Sequence, residues 1–204
     1  MASPPDALLF DMDGVLVDSF DAWLAAMNTT LRRFDLPELS EKEFREQYWG
    51  HDLYENLQRL ELEDKVGRFC VNIFGDYVGA ITVFSETQRV LQQIDHYPTA
   101  LVTNTPRACV DDILGHFDLD AYFDVIVTSD DVSRGKPHPG MLLQACRRLG
   151  VHPRRVLFIG DTDSDVRAGR AAGCTVVGVG VDADVTISRL SELPAVVADH
   201  AGQR

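Results

Sequence analysis

Several things are scarce or missing in this chain of 204 residues, and each absence narrows what it can be. No apolar run approaches the roughly 20 residues that cross a bilayer, so a membrane-spanning role is excluded. The first six residues lack the basic and apolar regions of an export signal, which leads to the expectation of a cytoplasmic protein. There are four cysteines, Cys70, Cys109, Cys146 and Cys174, and no two form a CxxC pair. Their spacing and apolar surroundings predict buried free thiols rather than a disulfide framework or a zinc site. Lysine occurs only at Lys42, Lys65 and Lys136, and the formal net charge is −13. A nucleic-acid binder needs a basic face, and this chain has none to offer. Its negative field also repels anions, so an anionic substrate would require cations placed locally.

What is present is ordinary globular composition, with 45% hydrophobic and 25% charged residues, enough for one domain and a modest insertion. The pattern is organised around Leu8-Leu9-Phe10-Asp11-Met12-Asp13-Gly14. A short apolar run reads as a buried strand that stops on a carboxylate. Asp13 follows two residues later, and Gly14 permits a sharp turn. Two carboxylates this close raise each other's pKa unless a cation or a division of labour separates them. A lone Asp-x-Asp is more often an acidic turn, so the remaining chain has to decide.

From residue 20 to about 77 the apolar residues recur at helical spacing, and Ser40 with Glu43 fits a capping box. From Thr82 onward strands and helices alternate. Strands are predicted at Thr99–Thr103, Asp124–Thr128, Arg155–Ile159, Thr175–Val179 and, last, Ala195–Val197. Helices are predicted at Phe84–Ile94, Ala108–His116, Gly140–Leu149, Ser164–Ala172 and Ser188–Leu193. Such alternation implies a parallel sheet covered by helices on both faces. The fold class is therefore α/β, a Rossmann-like parallel sheet built from residues 1–19 and 78–204. Residues 20–77 form a helical cap inserted after the first strand.

Four strand ends carry polar residues that the strands do not need: Asp11 and Asp13, Thr103 and Asn104, Lys136 in Gly-Lys-Pro, and Asp161 with Asp165. Taken singly these are caps, turns or a surface lysine, and Asp163 is left in that role. Together at one sheet edge they suit phosphoryl transfer. Asp11 and Asp161 supply hard oxygen ligands suited to Mg²⁺. Lys136 and Thr103 face the charge on the transferring group, and Asp13 is placed to carry a proton.

These motifs, in this order and across nearly the whole chain, resemble the haloacid-dehalogenase-like hydrolases, in particular the phosphoglycolate-phosphatase-like branch with a small helical cap. The resemblance implies Asp11 as nucleophile and Asp13 as general acid and base. It implies Mg²⁺ held by Asp11, the Asp13 carbonyl and Asp161, with Asp165 in support and Thr103, Asn104 and Lys136 on phosphate. The expected function is Mg²⁺-dependent hydrolysis of a small phosphorylated metabolite through an aspartyl-phosphate, by a monomer or homodimer.

Asp13 argues against dehalogenation, which needs no proton donor there. A β-phosphoglucomutase-like phosphotransferase shares the motifs but usually carries a His in the first cap helix, where this chain has Ser19 to Leu24 without one. A phosphoryl-accepting signalling module would place its acceptor on a later strand and lack the insertion. A non-catalytic binding relative would commonly have lost one of the motif residues. Trp49, His51, Tyr54 and Arg59 are the cap residues considered as readers of the leaving group.

Overall fold

The computed structural model describes residues 4–202. Six parallel strands form the central sheet in the order β5-β4-β1-β6-β7-β8. They are β1 (Ala7–Phe10), β4 (Thr99–Val102), β5 (Val125–Val127), β6 (Val156–Gly160), β7 (Thr175–Val179) and β8 (Val185–Ile187). The β1, β4 and β6 strands are buried at every position. That explains their unbroken apolar runs: both faces are covered, so neither can be polar. Each fully buried Leu or Phe contributes about 1.5–3 kcal/mol, which commits this tetrapeptide to the middle of the sheet.

Helices α5 (Thr87–Gln93) and α6 (Arg107–His116) flank the sheet together with α7 (Gly140–Leu149), α8 (Asp163–Ala172) and α9 (Leu193–Gly202). Two apolar clusters result. One, around Leu9, Ala100, Phe158, Met141 and Cys146, fills one face, and the larger one, around Leu8, Phe10, Leu101 and Ile159, fills the other and continues into the inserted helices. All four cysteines are buried free thiols, as expected. Among the described residues no helix is long and apolar enough to cross a membrane.

Two short strands, β2 (Val17–Asp18) and β3 (Thr82–Val83), pair antiparallel beside the sheet. Between them lie α1 (Phe20–Arg33), the turn α2 (Glu41–Glu43) continuing into a π-helical turn (Phe44–Tyr48), α3 (Leu53–Arg59) and α4 (Asp64–Phe74), ending in a 3₁₀ segment (Gly75–Ala80). Ser40 and Glu43 form the capping box that their spacing predicts.

Two expectations are corrected. Ala195–Val197 is not the last strand but part of α9, and the edge strand is Val185–Ile187. Leu193 and Val197 are both buried and four residues apart, a helical face that a three-residue apolar run does not reveal. The helix expected from Phe84 starts at Thr87 instead, because the chain leaves β3 at Val83 and first makes a turn closed by the Thr87 amide on the Phe84 carbonyl at 2.9 Å.

Register sets the strand ends level: Phe10 lies opposite Leu101 of β4 and opposite Ile159 of β6. Asp11, Thr103 and Asp161 therefore emerge side by side where the chain turns outward in both directions, the crevice in which open parallel sheets bind ligands.

Two helical glycines give opposite expectations. A Cβ at Gly169 would lie 2.4 Å from Val176 Cγ2 and 3.0 Å from Phe158 Cδ1, whereas one at Gly115 meets nothing within 4 Å. Gly115→Ala should raise stability by about 0.5–1 kcal/mol through helix propensity. Gly169→Ala should lower it by about 1–3 kcal/mol despite the same propensity gain, because overpacking wins. Denaturant titration of both variants checks this, and a stabilised Gly169→Ala would show that α8 does not sit this close to β7.

Candidate active site

The centre of the site is a buried ion-pair triad. Lys136 Nζ lies 2.7 Å from Asp11 Oδ1 and 2.6 Å from Asp165 Oδ1. It also donates to the Val102 carbonyl at 3.2 Å. Lys136 is 2% exposed, Asp11 6% and Asp165 0%. Burial disfavours an ammonium, but the two carboxylates outweigh it and hold the Lys136 pKa above its usual value. Asp11 is shifted upward, first by burial, then by Asp165, with Lys136 opposing.

Asp165 reaches this position from the first turn of α8. Thr162 caps the helix, and Asp165 Oδ2 accepts from the Thr162 amide (3.0 Å) and hydroxyl (2.6 Å). Its second oxygen is thereby left for Lys136. Gly160 makes the approach possible, since a Cβ there would lie 2.4 Å from Asp165 Cβ.

Asp13 stands beside the triad in a cage of hydroxyls. It accepts from Ser19, from Thr105 at 2.7 Å and from Thr103 at 3.3 Å. The Thr105 amide in turn donates to Thr103 Oγ1 at 3.1 Å. Hydroxyls donate and accept, so the same partners serve the carboxylate and the carboxylic acid.

Asp161 is the group with least support. Its Oδ1 is buried without a hydrogen-bond partner, and burial followed by Asp165 pushes its pKa up to about 7. Gly14, at φ +83°, packs so closely that a Cβ would fall 2.0 Å from Asp161 Oδ2. One oxygen each from Asp11, Asp161 and Asp165 lie within 4.8 Å of one another. An orphaned carboxylate oxygen among convergent carboxylates is what a hard divalent cation would satisfy, so the donor set fits one. The Asp13 side chain lies outside that cluster.

The structure thus brings together Asp11, Asp13, Thr103, Lys136, Asp161 and Asp165, with Asn104 in a different posture. Asn104 Nδ2 donates to the carbonyls of Gly50 and Lys136, each at 3.1 Å, and its Oδ1 accepts from the Lys136 amide at 2.8 Å. Its side chain therefore straps the lysine loop to the inserted helices. Two residues escaped the sequence reading: Thr105 and, as a partner of Asp13, Ser19. Their only signal was adjacency to the motifs, since Thr105 follows Thr103-Asn104 and Ser19 ends the first stretch.

A cavity opens over the site. Its floor is Asp11, Asp13, Thr103, Asn104, Thr105 and Lys136, and its roof includes Trp23, Phe44, Tyr48, Trp49 and His51 from the insertion. Of the four cap residues considered from sequence, Trp49 and His51 line it, whereas Tyr54 borders a separate hollow and Arg59 sits behind His51 at 3.4 Å.

Comparison with known proteins agrees with this geometry. The family model for haloacid dehalogenase-like hydrolases matches residues 8–179. A phosphoglycolate phosphatase from Escherichia coli O157:H7 is 31% identical, over 83% of this chain and 79% of that protein. A haloacid-dehalogenase-superfamily hydrolase from Geobacter sulfurreducens superposes with a TM-score of 0.80 at 27% identity, covering 94% and 99% of the two chains. A β-phosphoglucomutase from Clostridium difficile has a TM-score of 0.85 at 20% identity, covering 98% of each, a likeness of fold alone. With the family's motifs assembled at one sheet edge, the chain belongs to the haloacid dehalogenase-like hydrolases, on their phosphoglycolate-phosphatase-like branch of phosphatases.

Proposed function

We propose that the chain is a Mg²⁺-dependent phosphomonoesterase that works through a phosphorylated Asp11. The observation that carries this reading is the pairing of a buried carboxylate, ion-paired to Lys136, with a second carboxylate held by hydroxyls two residues away. Asp11, Asp161 and the Asp13 carbonyl would hold the cation, and when bound it neutralises phosphate and Asp11 so that two anions can approach. Residues 20–77 act as a cap that excludes water and receives the leaving group.

The division of labour follows from the surroundings. Lys136 anchors Asp11 in one orientation and leaves its outer oxygen to attack phosphorus in line. The P–O bond to the leaving group breaks as the Asp11–P bond forms. Asp13 gives its proton to the departing alkoxide and then takes one from the water that attacks the phosphoaspartate. Thr103, Thr105 and Ser19 keep Asp13 aimed through both transfers. Asn104 keeps Lys136 in register by holding both its amide and its carbonyl. The phosphotransferase alternative requires a site that reads a second phosphate, and no Arg or Lys of the cap lines the cavity. Four reduced cysteines accord with a cytoplasmic setting.

Asp11→Asn should abolish turnover of p-nitrophenyl phosphate with Mg²⁺, by about 10⁴-fold or more in kcat. A variant as active as the parent would remove Asp11 as nucleophile.

Asp13→Ala should slow hydrolysis of an alkyl phosphate by about 10²–10⁴-fold. The loss on p-nitrophenyl phosphate should be far smaller, because that leaving group departs without a proton. Equal losses on both would show that Asp13 is not the acid.

The raised Asp161 pKa makes metal stabilisation pH-dependent. In the metal-free protein the folded state keeps a proton that the unfolded chain has already released between about pH 4 and 7. That stabilising contribution is complete below this window and lost as pH rises through 7. A cation favours the ionised form, so the Tm increase on adding saturating Mg²⁺ should be larger at about pH 8 than at about pH 5.5. A larger increase at the lower pH would contradict the assignment of Asp161.

A further inference from the structure

The cap roof is chemically unlike the floor. It is formed by Trp23, Met27, Phe44, Tyr48, Trp49 and Leu53, with His51 and Asn56 beside them. Of these, Trp23, Met27, Phe44 and Leu53 are at most 8% exposed. Among the described residues Lys136 is the only Arg or Lys lining the cavity, and its ammonium is already shared by Asp11 and Asp165. Arg45 lies over the Phe20 ring, and Arg59 points its Nη1 at the Gln47 carbonyl, 2.7 Å away. A carboxylate on the leaving group would therefore be buried among aromatic walls without a counter-charge, an unfavourable transfer.

The two polar groups define a complementary pattern. Asn56 is 4% exposed, and its Nδ2 donates to the Tyr48 carbonyl at 2.8 Å. That bond fixes the amide, leaving Oδ1 as a buried acceptor with no partner, in a residue that lines the cavity. His51 Nδ1 lies 3.4 Å from Arg59 Nη2. A guanidinium only donates, so Nδ1 accepts and the ring proton sits on Nε2. Burial and then Arg59 lower the His51 pKa, which keeps the ring neutral. The roof thus combines largely apolar and aromatic walls with the Asn56 amide, a neutral imidazole and the Tyr48 ring, and it holds no cation. A few oriented polar groups among apolar and aromatic walls are typical of a site that binds a small organic molecule.

From this we infer that the leaving group is an uncharged alcohol carrying an aromatic or heteroaromatic ring with an N–H or O–H donor for Asn56, rather than a short hydroxy acid. Nucleoside 5′-monophosphates belong to this class. The inference rests on the phosphatase reading above and adds the substrate class, which departs from what the name of the Escherichia coli relative states for that protein.

The test uses the purified full chain with Mg²⁺ on thymidine 5′-monophosphate, benzyl phosphate and 2-phosphoglycolate, with p-nitrophenyl phosphate as reference. Both ring esters should exceed phosphoglycolate in kcat/KM by at least about tenfold, the range that pocket complementarity supplies. The thymidine ester should be the better of the two. In Asn56→Leu its advantage over benzyl phosphate should disappear. Phosphoglycolate matching or exceeding the ring esters, while p-nitrophenyl phosphate is hydrolysed, would overturn the inference and leave the phosphatase reading standing. Failure of all four would overturn the phosphatase reading instead, and binding would then decide. The two tryptophans of the chain, Trp23 and Trp49, both line the cavity. Their fluorescence in Asp11→Asn with Mg²⁺ should change on adding thymidine 5′-monophosphate and not phosphoglycolate. The opposite response, or none, would reject the ring-selective roof independently of turnover.

Discussion

Everything at this sheet edge depends on one ammonium group. Three carboxylates, from Asp11, Asp161 and Asp165, converge where three parallel strands end, with Asp13 beside them, on a chain with a large excess of acid. Unrelieved, they would repel each other in a medium that screens poorly. Lys136 is inserted between two of them at hydrogen-bonding distance and is closed off from water. Buried ion pairs are poor sources of net stability, so the triad is better understood as an orienting device. It turns one oxygen of Asp11 inward and presents the other to the cavity.

The remaining details of the floor serve that pairing. Asn104 clamps the Lys136 backbone from both sides, and Gly135 has to be glycine because a Cβ would meet Asn104 Oδ1 at 2.5 Å. Asp165 is locked by its own capping box. Asp13 and Asp161 are treated differently. The first receives three hydroxyls and is suited to gaining and losing a proton, and the second is left one oxygen short and is suited to a cation. Equal residue types acquire unequal chemistry through their neighbours alone.

How much of this was legible in the sequence follows from the range over which each feature is encoded. The parallel sheet showed through because strands buried on both faces must be apolar throughout, and the acidic ends of β1 and β6 interrupt that rule at once. Lys136 stood out through its place in a Gly-Lys-Pro loop after a strand, in step with the polar residues at the other strand ends. Ser19 and Thr105 were invisible as Asp13 partners, because hydroxyl residues beside a motif have many local uses and only the fold brings them within reach. The exchange of Ala195–Val197 for Val185–Ile187 as edge strand has the same origin. Three apolar residues suit a strand or one side of a helix, and the deciding contacts lie elsewhere in the chain. Asn104 shows a subtler limit. Its position at the site was legible, but its side chain faces the cap and the lysine loop, a direction that no spacing encodes.

The cap extends this contrast. Floor residues come from strand ends, where the backbone fixes position to within a fraction of a residue, and their chemistry is polar and specific. The roof is assembled from helices whose apolar faces would be buried in any case, so its aromatic residues read as ordinary core in one dimension. Only when α1, the π-helical turn and α3 are set over Asp11 do Trp23, Phe44 and Leu53 become the walls of a cavity. The unpaired Asn56 oxygen then marks the place where packing gave way to recognition. A core asparagine gains nothing from an orphaned acceptor, and its loss in hydrogen bonding is recovered only when a donor enters the cavity. Phosphate chemistry is thus set by the sheet, and choice of alcohol by a surface that doubles as hydrophobic core.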